Sequence, residues 1–344
     1  MSQKTNSTPD KKWLAAFLYY AEPWEEFLIQ GVKPLIDQVM GEKLADQYFF
    51  IRYWEKGPHI RLRFKGNPNV LEKKVKPLII DHFNKYFKNV PSERQDPDWL
   101  KEASEEYKWY PNNSVQFIEY EPETERYGGE HALQVSERQF QASSDATLAI
   151  VEDGLEAWDY NRALGAAIQL HLGFAHGVGM DQQEASKFFS DVFQNWLPRA
   201  YYFFEKDISK EELAKRKEET LKAFEKNFKG HKESLIPFFE TVWEAFEEGQ
   251  SFDQEWLNNW LVDMKSIKSD LQALQEDKKL IAPQRYLSKR DEEVPAETQE
   301  LWAIYDSYIH MINNRMGIMN RDEGYLAYLV RESIKALRNS VNNG

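Results

Sequence analysis

Cysteine is absent from the 344 residues. That excludes disulfides, thiol catalysis, iron–sulfur clusters and thiolate zinc sites. No apolar run approaches the roughly 18–20 residues that a membrane helix needs. The start, MSQKTNSTPDKK, has no apolar stretch behind its charges, so no secretory signal is read and a cytoplasmic protein without a membrane partner is expected. Basic residues are outnumbered, 44 Lys and Arg against 57 Asp and Glu, and a net charge of −13 argues against direct nucleic-acid binding. Motifs are missing too. There is no Gly-rich phosphate loop of Walker or dinucleotide type, no GxSxG elbow and no HExxH. His171 and His176 fall off the i,i+4 spacing of a helical metal pair. Neither metal nor cofactor is therefore expected, and kinase, dehydrogenase and α/β-hydrolase readings drop out.

What is present is ample core material: 42% apolar residues, with 11 Trp, 17 Tyr and 21 Phe. The charge is unevenly spread. Residues 1–90 hold 15 Lys and Arg against 10 Asp and Glu, a balance of +5 within the total of −13, which leaves −18 to the other 254. This asymmetry suggests a local basic surface for an anionic ligand, although uneven surface solvation gives the same numbers.

Residues 1–12 read as a disordered tail. Residues 13–130 then follow an alternating order of elements. WLAAFLYY (13–20) reads as a buried strand. The stretch from Pro23 places Phe27, Leu28, Val32, Leu35 and Val39 at helical spacing. YFFIRYW (48–54) and HIRLRF (59–64) are two strands joined by the turn signal Glu55-Lys56-Gly57-Pro58. A helix over 69–89, a polar excursion over 91–113 and a strand VQFIEYE (115–121) complete the set. Strand, helix, strand, strand, helix, strand is the ferredoxin-like order, an antiparallel sheet with both helices on one face. The part at 131–340 is mostly helical, with helices expected over 142–152, 160–176, 182–196, 210–228, 233–248, 256–275 and 297–316. The fold class is α+β, a helical part packed on a sheet unit in one integrated domain.

Three pieces are rich in chemistry. On HIRLRF, side chains alternate, so His59, Arg61 and Arg63 share one face and Ile60, Leu62 and Phe64 the other. Two guanidiniums about 6.5–7 Å apart along a strand suit bidentate grip on carboxylates; Glu119 and Glu121 are the internal partners that compete for them. In Arg126-Tyr127-Gly128-Gly129, after the last strand, the glycines allow positive φ or close backbone approach, as would an ordinary strand-to-helix turn. On the helix near the C-terminus, Asp306, His310 and Asn314 share a face. An Asp306–His310 pair would orient the imidazole and raise its basicity, whereas many helical histidines only pack. Arg315 lies about 140° around the helix from His310.

Taken together, FIRYWEKGPHIRLR (50–63), YEPETERYGG (120–129) and HMxxNR (310–315) resemble the C-terminal domain of lantibiotic dehydratases, which also occurs alone as the thiopeptide-type bacteriocin biosynthesis protein. The resemblance runs from Trp13 to about Leu337. It implies a lyase that removes glutamate from glutamylated Ser or Thr of a ribosomal precursor peptide, leaving dehydroalanine or dehydrobutyrine. It also implies a separate glutamyl-tRNA-dependent partner protein to install the glutamate. By motif position His310 would be the acid/base, and Arg61, Arg63 and Arg126 would hold the glutamyl group. Arg315, Glu123, His59, Arg52 and Tyr127 would contribute to substrate binding. Two alternatives stay open: a [4+2] pyridine synthase of thiopeptides, and a non-catalytic precursor-peptide-binding partner.

Overall fold

The computed structural model describes residues 10–202, 208–284 and 293–341, so residues 1–9 of the expected tail lie outside the described residues. The chain divides into two compact units. One runs to Glu123 and takes in Leu148–Trp158; the other holds Thr124–Thr147 and everything from Asp159.

The first unit is built on four strands: β1 (Lys12–Tyr19), β2 (Gln47–Tyr53), β3 (His59–Gly66) and β4 (Ser114–Phe117). They lie in the order β2-β3-β1-β4, and every neighbouring pair is antiparallel. Between β1 and β2 a π-helical stretch, Phe27–Val32, runs into helix α1 (Lys33–Gly41). Between β3 and β4, Asn67 caps a helical start at Pro68, accepting from the N–H groups of Asn69 and Val70. A second π-helical stretch (Leu71–Val75) then leads into α2 (Lys76–Asn89). The strand β4 stops earlier than its sequence pattern suggests. Beyond Phe117 the chain leaves the ladder, and Ile118 and Tyr120 pack on Ala15, Phe17 and Tyr19.

The strands bury both faces, which is why β1 reads as an unbroken apolar run. Toward the helices, Ile60, Leu62 and Phe64 are fully buried among Phe27, Leu35, Val75, Ile79 and Phe83. The opposite face carries Phe17, Tyr19 and the basic side chains of β3. The excursion at 91–113 is closed at its base: the Ser92 carbonyl accepts from the side-chain amides of Asn112 and Asn113 at 2.9 Å each.

The second unit is helical: α3 (Gly129–Gly154, whose end from Leu148 belongs to the first unit), α4 (Tyr160–Gly177), α5 (Gln182–Trp196), α6 (Lys210–Glu247), α7 (Glu255–Glu276), α8 (Ala296–Met316) and α9 (Asn320–Val341). Two differences from the sequence pattern have physical causes. The helices expected over 210–228 and 233–248 are one 38-residue helix. Its exposed first half is laced by i,i+4 pairs, Arg216–Glu212, Lys222–Glu218 and Lys229–Glu225, and only its second half buries Phe239, Trp243 and Phe246. The last helix, α9, lies in the expected helical part but outside the individual helix ranges read from the pattern, although Leu326, Val330, Ile334 and Leu337 are buried at helical spacing. No described helix is long and apolar enough to cross a membrane.

The Arg126–Gly129 turn feeds α3 with two positive-φ glycines, Gly128 at +84° and Gly129 at +89°. A Cβ on Gly128 would lie 2.7 Å from Ile304 Cδ1 and 2.9 Å from Ala132 Cβ. Gly128→Ala therefore combines a strained φ with overpacking, and should lower the unfolding free energy by about 1–3 kcal/mol in urea titration.

Candidate active site

In the sheet unit the turn before β3 sets the first group of side chains. Gly57 adopts φ +103° and turns its carbonyl to His59 Nδ1, 2.8 Å away. His59 is fully buried, and burial pushes its pKa down to about 4. The ring is thus neutral at pH 7, donates from Nδ1 to Gly57 and accepts at Nε2 from Arg61 Nε at 3.0 Å. Arg61 is held flat against Tyr53, its guanidinium carbon 3.5 Å from the ring centre, with Phe17 at 4.5 Å. Glu55 lies 3.5 Å from its Nη2. Arg63 sits over Tyr120 at 4.3 Å and Phe49 at 5.0 Å. Glu119 and Glu121 are exposed and pair with neither arginine among the described residues, so the internal alternative is not what the strand adopts.

Arg52 is placed differently. It lies opposite Ile60 in the ladder, on the helix-facing side, and its Nη1 donates to Glu25 Oε1 at 2.7 Å. That face is the opposite one from Arg61 and Arg63.

In the helical unit the focus is His310 on α8. Its Nδ1 lies 2.9 and 3.1 Å from the two carboxylate oxygens of Glu323, on α9. Glu323 is buried, its side chain 1% exposed. Trp196, the last residue of α5, stacks on the imidazole with ring centres 4.4 Å apart. An ionised carboxylate only accepts, so His310 carries its proton on Nδ1. Nε2 has no hydrogen-bond partner among the described residues, and the side chain is 17% exposed. A histidine whose one nitrogen is held by a carboxylate while the other stands open has the arrangement of a general base.

The Asp306–His310 pair that i,i+4 spacing suggests is not the contact made. Asp306 is buried with Oδ1 unbonded. Burial raises its pKa to about 7, and the Glu323 carboxylate adds to that, against the lowering influence of Asn195, His310 and Arg126. The partner is instead Glu323, supplied by another helix. Sequence spacing on α8 held no trace of it; the only signal was the unassigned apolar periodicity of α9.

Arg126 reaches the same stretch of α8, donating from Nε to Ser307 Oγ at 3.0 Å. Tyr127 is buried, edge-on to Phe140 at 4.8 Å and stacked near Tyr308 at 6.2 Å, so it is part of the packing. Glu123 is exposed and closes the first unit. Arg315 is fully buried and turned away from His310. Its Nε donates to Ser144 Oγ on α3 and its Nη1 to the Met311 carbonyl, each at 3.0 Å. No group of three or more metal-ligating side chains occurs among the described residues.

The raised pKa of Asp306 makes stability depend on pH with a definite sign. Between the ordinary carboxylate range and about pH 7 the native state holds a proton that the unfolded chain has lost. Stability from this group is therefore present at low pH and lost as pH rises from about 4 to 7, at about 1.4 kcal/mol for each unit of displacement. Asp306→Asn keeps the neutral shape. Urea unfolding across this range should show wild type losing stability relative to the variant; parallel curves would refute it.

Comparison with known proteins identifies the family of the chain. Residues 13–334 match the family model of the lantibiotic biosynthesis dehydratase C-terminal domain. Subtilin biosynthesis protein SpaB of Bacillus subtilis is 32% identical over 133 residues, which is 38% of this chain and 11% of SpaB; the match spans about a tenth of that curated relative. The fold is shared with TbtD, a pyridine synthase from thiomuracin biosynthesis (TM-score 0.72, 16% identity, 95% of this chain and 99% of TbtD). It is shared also with TsrL (TM-score 0.63, 19% identity, 96% and 95%). The tRNA-dependent lantibiotic dehydratase MibB of Microbispora sp. 107891 aligns with 99% of this chain over 29% of its own (TM-score 0.59, 16% identity). From Trp13 to Ile334, the chain belongs to the lantibiotic dehydratase C-terminal domain family.

Proposed function

We propose that this protein is a carbon–oxygen lyase that eliminates glutamate from glutamylated Ser or Thr residues of a ribosomal precursor peptide. The observation that carries the reading is the His310–Glu323 pair, with Nδ1 committed to the carboxylate and Nε2 open. Elimination needs a base for a weakly acidic α-proton. Nε2 takes that proton, the C–H electrons form the Cα=Cβ bond, and the Cβ–O bond breaks. Glutamate departs as a carboxylate, a weak base that needs no protonation to leave.

The other charged groups serve binding and charge stabilisation. Arg126, on Ser307 one turn before His310, offers positive charge where the α-carbanion develops. Arg61 and Arg63 are assigned to the glutamyl carboxylate by their motif positions. Arg61, oriented by neutral His59 and stacked on Tyr53, is prepared for a planar anion. Arg52, Tyr127 and Arg315, expected at the substrate, instead hold structure within their own units, through Glu25, Phe140 and Ser144.

The name of MibB states tRNA dependence, and this chain aligns with only 29% of it. Within the same proposal, a glutamyl-tRNA-dependent partner protein supplies the ester.

A peptide bearing a chemically installed glutamyl ester on Ser tests the reaction by mass spectrometry. Wild type should release glutamic acid and leave dehydroalanine. His310→Ala should lower kcat by 10²-fold or more, roughly the contribution of a general base. Arg61→Ala should act mainly on KM. An unchanged ester with ring formation from a bis-dehydroalanine peptide would identify a pyridine synthase instead; an unchanged ester with peptide binding retained would identify a scaffold.

A further inference from the structure

Behind Glu323 lies a hydrogen-bonded chain that the elimination reading does not use. Asn313, one turn after His310 on α8 and fully buried, donates from Nδ2 to Glu323 Oε2 at 3.1 Å. Its Oδ1 faces Nε2 of His171, on α4, at 3.0 Å. His171 is fully buried and stacks near Phe189, and its Nδ1 has no partner. Two imidazoles on different helices are thus joined through one carboxylate and one carboxamide.

The direction of each bond follows from the one before it. An ionised Glu323 only accepts, so the amide of Asn313 must turn its NH2 to the carboxylate. That leaves the amide oxygen toward His171, which must then donate from Nε2. Burial keeps this ring neutral, its pKa pushed down to about 4, so His171 has a single proton to place and Asn313 determines where it goes. On the other side, Glu323 receives Nδ1–H of His310.

We infer that His171 and Asn313 are positioning residues for the base, locking the orientation of Glu323 and thereby holding His310 in the tautomer that presents an unprotonated Nε2. The assignment rests on the elimination reading for its catalytic meaning. Its structural content, the tautomer of His310, can be read without any reaction. Removing the Asn313 donor takes away the amide that holds Glu323 Oε2 and frees the carboxylate to turn away from His310 Nδ1. The other charged groups facing this carboxylate, Asp306 and through it Arg126, remain in place.

The test uses full-length protein labelled with ¹⁵N-histidine, the His310 signals being identified by their loss in His310→Gln. Wild type should show His310 as the Nδ1–H tautomer. Asn313→Ser, too short to span to the carboxylate, and His171→Asn, whose amide stops short of the Nε2 position, should move His310 toward mixed tautomers. In the glutamyl-ester assay kcat should fall on the order of tenfold, with KM little changed. His171→Gln places an amide N–H where Nε2 stood and should return both readouts toward wild type. Unchanged ¹⁵N signatures in Asn313→Ser and His171→Asn would overturn the inference, as would a His171→Gln protein that behaves like His171→Asn. If wild type leaves the ester intact, the elimination reading fails, while the tautomer measurements still decide the relay.

Discussion

A carboxylate taken out of water must be answered by donors, and the Glu323 side chain imposes that demand on three helices of the helical unit. Its two oxygens receive His310 and Asn313 from α8, and Asn313 is backed by His171 from α4. An isolated buried carboxylate costs several kcal/mol after relaxation; here hydrogen bonds from an imidazole and an amide meet most of its accepting capacity. The same constraint explains the second acid. Asp306, buried nearby with no comparable set of donors, holds its proton up to about pH 7. Of these two carboxyl groups, one a helix turn from the imidazole along α8 and one in direct contact with it from α9, only the one met by donors orients the base.

The sheet unit solves a related problem with different materials. Strand β3 must keep two arginines on a largely covered face, and it does so with aromatic rings. Tyr53 and Phe17 flank Arg61, while Tyr120 and Phe49 flank Arg63. A guanidinium is weakly hydrated and planar, so ring faces replace part of its water shell at low cost. His59 adds direction. Held neutral by burial, it is an acceptor rather than a competing cation, and so it points Arg61 without repelling it.

The sequence was most legible where one face of an element decides its place. Alternation along HIRLRF separates Ile60, Leu62 and Phe64 from His59, Arg61 and Arg63, and the strand keeps that division. The antiparallel sheet and the helical remainder were readable for the same reason. Legibility failed where a contact joins distant elements. Spacing on α8 favoured Asp306 as the partner of His310, because i,i+4 neighbours are all that one helix can reveal. Glu323 lies thirteen residues on, beyond a left-handed Gly317 that ends α8, and a turn of that kind resets any periodic argument. Asn313 and His171 were invisible on similar grounds, being linked across 142 positions of sequence.

The motif HMxxNR shows how one helical turn can carry two unlike tasks. His310 and Arg315 are separated by five residues, so they leave the helix in different directions. His310 meets α9 and the end of α5, with a partly open edge. Arg315 goes inward to α3, where Ser144 and the Met311 carbonyl receive it and Phe140 lies 5.5 Å away. A fully buried arginine cannot meet a peptide without leaving those partners, and leaving them would strand a charge in the core. Its contribution to any reaction is then the fixed position of α8. That fixity matters because a base must stay within hydrogen-bond reach of the proton it removes. The rotation of His310 about α8 is accordingly set from two sides, by Arg315 holding the helix and by Glu323 holding the ring.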